Sequence, residues 1–185
     1  MECLRRAGER GSSLIQAMVG LALIASSLRL AIPEVQDVVR TSALNAAAEE
    51  VFADVRQARA EALTRNRRVT ICKSAEGSSC STAGGWQQGW IIFQDENNNG
   101  VRESTEPVIA RHAPLALQLR VTGNAPVERY VSYSAIGTTR LTGGGFQAGT
   151  LTVCLSSSAP AAARQIVLNA VGRPRVQKAT VVSCV

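Results

Sequence analysis

The stretch Gly11-Ser12-Ser13-Leu14-Ile15-Gln16-Ala17-Met18-Val19-Gly20-Leu21-Ala22-Leu23-Ile24-Ala25-Ser26-Ser27-Leu28-Arg29-Leu30-Ala31-Ile32-Pro33 decides how the rest of the chain is read. From Leu14 to Ile32 its one formal charge is Arg29. A helix needs roughly 20 apolar residues to cross a bilayer, and this run is about that long. Arg29 stands near the far end, where a long side chain reaches the interface. The leader ahead of the run is short and basic, with Arg5, Arg6 and Arg10. That charge predicts a cytoplasmic N-terminus with the remainder sent outward. On composition two readings stay open, a secretory signal cleaved near Ala25-Ser26-Ser27 and an uncleaved anchor.

Pro33 to about Asn66 reads as one long helix continuing the apolar run. Leu44, Ala48, Val51, Val55, Ala58 and Ala62 recur at spacings of three and four, and Phe52 and Leu63 broaden the stripe. Glu49, Asp54, Arg56, Arg59, Glu61 and Arg65 mark the opposite, solvated face. Such a stripe cannot be buried by the helix alone, so a sheet is expected to pack on it. Arg65-Asn66-Arg67-Arg68 closes the helix, with cations at the negative end of its dipole.

From Arg68 the pattern changes to short β-like runs. Strands are predicted at Arg68–Cys72, Trp90–Gln94, Val108–Arg111, Ala116–Val121, Tyr130–Ser134, Gly149–Leu155 and Gln165–Asn169, with a final pair at Arg175–Lys178 and Val181–Val185. Gly-rich turns such as Gly143-Gly144-Gly145 separate them, which points to antiparallel sheet. Beyond Cys3 in the leader there are four cysteines, Cys72, Cys80, Cys154 and Cys184. Four thiols allow three pairings. A bond between Cys72 and Cys80 would close the Ser/Gly-rich loop, and one between Cys154 and Cys184 would tie down the C-terminus. An exported chain keeps such bonds. Zinc is the rival use, but no CxxC occurs and His112 is the one histidine.

The chain of 185 residues fits one modest domain plus an anchor, with a 4 % aromatic share that leaves the core to Val, Ile, Leu and Ala. Charge is uneven. Residues 107–185 carry eight basic side chains against Glu128 alone, a balance of +7 in a chain whose total is +6. Such asymmetry suits a polyanionic partner, and a basic surface kept for solubility is the alternative. Asp95, Asn97, Asn99, Gly100 and Glu106 fit the spacing of a calcium loop, although strand-like flanks and Asn/Gly content fit a hairpin turn as well. His112 has no nucleophile partner in view, so neither catalysis nor a cofactor is expected.

Gly11 comes directly after the basic leader and directly before the apolar run. This resembles a prepilin signal, in which a peptidase cuts after the glycine. Further along come Arg65-Asn66-Arg67-Arg68-Val69-Thr70-Ile71-Cys72 and Trp86-Gln87-Gln88-Gly89-Trp90-Ile91-Ile92-Phe93. Asp95-Glu96-Asn97-Asn98-Asn99-Gly100 follows, and then Asn169-Ala170-Val171-Gly172-Arg173-Pro174-Arg175. In this order they resemble the FimT/GspH family of minor type IV pilins and type II secretion pseudopilins. The resemblance implies an α+β pilin-like fold: a leader (1–11), an N-terminal transmembrane and amphipathic helix (12–66) and an antiparallel β-rich head (67–185). It implies prepilin peptidase and other pilins as partners, and an inner-membrane anchor with a periplasmic head before assembly into a pilus or pseudopilus. Two positions depart from the family: Gln16 replaces the usual glutamate five residues after the cut, and Ser12 replaces Phe or Met. A neutral amide offers no ion pair in the membrane, which would suit a subunit at a filament tip.

Within the FimT branch a Gly-Arg-x-Arg motif is linked to DNA binding for natural transformation, and Gly172-Arg173-Pro174-Arg175 matches it. Gly172 permits a tight turn and Pro174 stiffens the segment. Arg173 and Arg175, two apart, would point to one side of an extended chain, with Lys178 close by and Arg164 in the same basic half. Guanidiniums grip phosphates in bidentate fashion, and with few aromatics the binding would be to the DNA backbone, without sequence preference. The alternative is a structural subunit that primes pilus or secretion-pseudopilus assembly without binding DNA.

Overall fold

The computed structural model describes residues 14–184, and for residues 24–35 only the backbone. Gly11 and Ser12, on which the processing expectation rests, lie outside the described residues. A helix, α1, spans Leu14–Arg65. The chain divides into two compact units, residues up to Thr41 and Ser42–Val185. In the first, Leu14, Ile15, Met18, Leu21 and Leu23 expose their side chains. Among the described residues no helix is long and apolar enough to cross a membrane, and the expected span continues into residues 24–35.

The second unit is the head. Its part of α1 ends as the sequence predicts: Asn66 takes a positive φ of 51°. The N–H of Asn66 then donates to Leu63 O and that of Arg67 to Ala62 O, so the last turn's carbonyls are satisfied. Eight strands follow: β1 (Val69–Lys73), β2 (Trp90–Gln94), β3 (Val108–His112), β4 (Leu119–Gly123), β5 (Tyr130–Tyr133), β6 (Gly149–Leu155), β7 (Ala161–Leu168) and β8 (Pro174–Val181). They form two four-stranded antiparallel sheets, ordered β3-β2-β1-β5 and β4-β6-β7-β8.

The C-terminal strands differ from expectation. In place of the predicted pair Arg175–Lys178 and Val181–Val185 there is one strand, β8, carried through Ala179 and Thr180 as far as Val181 by its ladder with β7, and Val182–Cys184 lie outside it. Small residues read from sequence as a break therefore continue the strand, because their partners are equally small. Cys184 instead makes an isolated bridge with Ser157. The fourth strand begins at Leu119 and not Ala116, after a turn in which the Leu119 N–H donates to Ala116 O.

Most of the predicted stripe is the buried face of α1: Leu44, Ala48, Val51, Val55, Ala58 and Ala62 are buried, joined by Ala47, whereas Phe52 is only partly buried and Leu63, expected to broaden the stripe, is exposed, because it borders the open groove beside Arg59 and Pro174. The buried residues share one core with Ile71, Trp86, Trp90, Val121, Val131, Tyr133, Leu151 and Ile166, so both sheets contribute. Asp54 corrects the solvated-face reading. Its carboxylate accepts the Trp90 Nε1–H at 2.7 Å, while the Trp90 ring stacks on His112 at 3.9 Å. His112 Nε2 lies 3.4 Å from Glu50, which gives the lone histidine a packing role between helix and sheet. Among the described residues every buried side chain belongs to the head, so it holds its own core.

Disulfides join Cys72 to Cys80 and Cys154 to Cys184. The first closes a short loop over a small apolar cluster with Ile91 and Phe93. Replacing Cys72 and Cys80 together with Ala is expected to lower head stability by about 2.5 kcal/mol from loop-closure entropy. Urea unfolding of the two forms measures it, and equal midpoints would contradict it.

Candidate nucleic-acid interface

β7 and β8 form a hairpin whose closing turn ends in Gly172-Arg173, with Pro174 and Arg175 opening β8. Asn169 builds that turn: its carbonyl accepts from Gly172 N at 2.9 Å and its Oδ1 from Arg173 N at 3.0 Å. Gly172 has φ +79°, and a Cβ there would fall on the Gly137 carbonyl oxygen and lie 3.1 Å from the Tyr133 ring. The hairpin tip thus rests on the turn after β5, and only a residue without a side chain fits. Tyr133 is fully buried, and its hydroxyl has no hydrogen-bond partner among the described residues. Burial pushes that phenol well above its ordinary range, with the nearby Arg59 guanidinium pulling the other way.

Arg173, Arg175 and Lys178 are exposed, and their side chains form no hydrogen bond or ion pair among the described residues. They do not share one direction. Lys178 pairs across the ladder with Arg164, and Arg164 Nε donates to Asn45 Oδ1 of α1 at 2.9 Å, so both lie on the helix side of the sheet. Arg175 pairs with Val167, and the alternation of the strand sends it to the other side. Arg173 precedes β8, so the extended-chain argument for its direction does not apply. β8 is an edge strand, and side chains of both faces border its open edge. Gly172 and Arg173 thus sit at the tip and Arg175 opens β8 on the face away from the helix, while Arg164 and Lys178 form a cationic pair farther along the hairpin. Arg164 is already engaged with the helix.

Arg173 and Pro174 also form one wall of a groove of about 380 Å³ whose other wall is α1, with Phe52, Arg56, Arg59 and Leu63. Arg56 is exposed and its guanidinium sits 5.5 Å from the centre of the Phe52 ring. Arg59 is half-buried, and its Nε donates to Gly137 O at 2.9 Å, the same carbonyl that Gly172 approaches. No acidic side chain lines this groove. Sequence reading assigned Arg56 and Arg59 to a solvated face. One sign was there: the neighbours three and four positions away include no acid that could pair with either.

The Asp95–Glu106 turn uses its carboxylates internally. Asp95 Oδ2 accepts from Thr70 Oγ1 and Gly100 N, and Oδ1 from Asn99 N. Glu106 accepts from the N–H groups of Glu96 and Glu103. Asn97 and Asn99 donate to Glu103, which holds its pKa below the ordinary value, whereas burial raises that of Glu106. Among the described residues no group of three or more His, Cys, Asp or Glu is placed to hold a metal ion.

The family model described as type II transport protein GspH matches residues 47–172. The match ends at Gly172, one residue short of the paired arginines. No curated protein matches the sequence. Among solved structures, the chain is similar to the type IV minor pilin FimU of Pseudomonas aeruginosa in two crystal forms. In space group P21 the identity is 22 % and the TM-score 0.55, over 77 % of this chain and 95 % of that one. In space group P65 the identity is again 22 % and the TM-score 0.53, over 77 % of this chain and all of that one. These likenesses give the fold, a helix packed on antiparallel sheets as in pilins. On the family match, which covers the core of the head from Ala47 of α1 to Gly172, this chain belongs to the GspH family of pilin-like structural subunits.

Proposed function

We propose that this chain is a minor pilin or pseudopilin whose head binds DNA through the phosphate backbone, for uptake in natural transformation. The observation that carries the reading is the hairpin tip. Arg173, on a turn held by Asn169 and Gly172, and Arg175, in the first residues of β8, present guanidiniums to solvent with no hydrogen bond or ion pair among the described residues. Unpaired guanidiniums on a fixed backbone are ready for charge-assisted bonds to phosphate oxygens. In the same reading prepilin peptidase cuts after Gly11, the apolar run anchors the subunit in the inner membrane, and α1 packs among other pilins.

The test is binding of mixed-sequence duplex DNA by a head starting at Ser42. Replacing Arg173 and Arg175 together with Ala is expected to weaken binding about ten- to hundredfold at low salt. The slope of log K against log salt should fall by about 1.8, since each phosphate no longer neutralised removes about 0.9. Absence of binding by the unaltered head at low salt would remove the DNA reading. The assembly-only reading is favoured by the family match itself, which takes in the head but not the arginines. It predicts loss of piliation or secretion on deletion, and not a defect confined to DNA uptake.

A further inference from the structure

We infer that the groove between α1 and the start of β8 is the second half of the DNA site, and that Arg56 and Arg59 hold phosphates of the same strand that Arg173 contacts. The inference rests on the DNA reading above and extends it to residues outside the Gly-Arg-Pro-Arg segment.

The groove brings three guanidiniums together, those of Arg56, Arg59 and Arg173, with no carboxylate among its lining side chains. Arg56 and Arg59 are three apart on one helix, so their cations are neighbours and repel. Among the described residues the salt bridges that α1 makes involve Arg40, Arg65 and Glu50, and none of them relieves this pair. Arg59 is pinned by one nitrogen, its Nε on Gly137 O, and its remaining N–H groups have no partner among the described residues. Arg56 leans on Phe52. An anion in the groove would answer all three cations.

The lining also says what kind of anion fits. Between the cations lie apolar surfaces, Phe52, Leu63 and Pro174, suited to a group with an uncharged part. A nucleic-acid backbone has this alternation, with deoxyribose faces between phosphates. Arg173 belongs to both the tip and the groove, so a backbone held at the tip would continue into the groove without a second entry point. The helix face and the hairpin tip then act as one continuous cationic track.

The test uses the head from Ser42 with a mixed-sequence duplex and the matching single strand, titrated between about 50 and 200 mM salt. Arg56→Gln is the informative variant, because Arg56 is exposed and makes no hydrogen bond or ion pair among the described residues. Affinity should fall about three- to tenfold, with a salt slope smaller by about 0.9. Arg59→Lys, which keeps charge and can still reach Gly137 O, should lose less than Arg56→Gln. Unchanged affinity and slope in Arg56→Gln, beside a clear loss on replacing Arg173 and Arg175, would overturn this inference and leave the DNA reading standing. No binding by the unaltered head would remove both.

Discussion

Gly172→Ala is expected to destabilise the head by about 2–5 kcal/mol, and to weaken DNA binding only as a consequence. Two costs combine. A residue with a side chain at φ +79° is held in the left-handed region, which costs about 1–2 kcal/mol. The added methyl also meets the Gly137 carbonyl, which is backbone and itself fixed by the Arg59 bond, so that overlap adds roughly 1–3 kcal/mol. For a head of this size the melting temperature should drop by roughly 10 °C. Gly144 provides the control. It has φ +87° but nothing near its would-be Cβ, so Gly144→Ala should cost only about the backbone part. Equal losses for the two variants would mean that the tip does not rest on the turn after β5. In the proposed DNA reading the glycine of the Gly-Arg-Pro-Arg segment would act by positioning Arg173.

This division between position and contact explains what the sequence could and could not convey. The helix stripe was legible because a three-and-four spacing reports burial directly, and Leu44 through Ala62 are buried accordingly. Strands rich in Val, Ile and aromatic residues, such as Trp90–Gln94, were legible for the same local reason. Gly172 was legible as a turn but not as a close approach of two backbones, since Gly137 reaches it only after the β7–β8 hairpin folds onto the β5 side. Arg56 and Arg59 read as solvated because the opposite wall of their groove comes from Arg173 and Pro174, remote in the chain. Asp54 misled in the same way, because its partner is an indole nitrogen in β2. In each case the missing information was long-range, and no local period could carry it.

Gln147 is the extreme instance, and its replacement is expected to have the other large effect. It lies just after a Gly-rich turn, in sequence an ordinary loop residue, yet it is 1 % exposed. Its Oε1 accepts the Ser132 N–H at 2.9 Å, and its Nε2 donates to Pro126 O at 2.7 Å and Tyr130 O at 2.9 Å. Ser132 and Tyr130 belong to β5, the edge strand of its sheet, where the Arg140 N–H donates to Ser132 O and Thr139 bridges Tyr133, so the side-chain amide completes the part of that edge the Thr139–Arg140 segment leaves unpaired. Gln147→Leu keeps the volume approximately but strands one N–H and two carbonyls. At about 1–3 kcal/mol for each buried unsatisfied group, partly relieved by water, the loss should be about 3–5 kcal/mol. Urea unfolding measures it. Gln147→Glu separates hydrogen bonding from shape. Its neutral acid can still donate to one carbonyl, whereas the carboxylate would face two carbonyls as a buried charge. Its folded-state pKa should therefore rise above the free-glutamate value of about 4.3, so that Gln147→Glu is most stable below that pH and loses stability as the pH rises through the raised value. A Gln147→Leu head that unfolds with the unaltered midpoint would mean that water, and not this amide, satisfies the edge of β5.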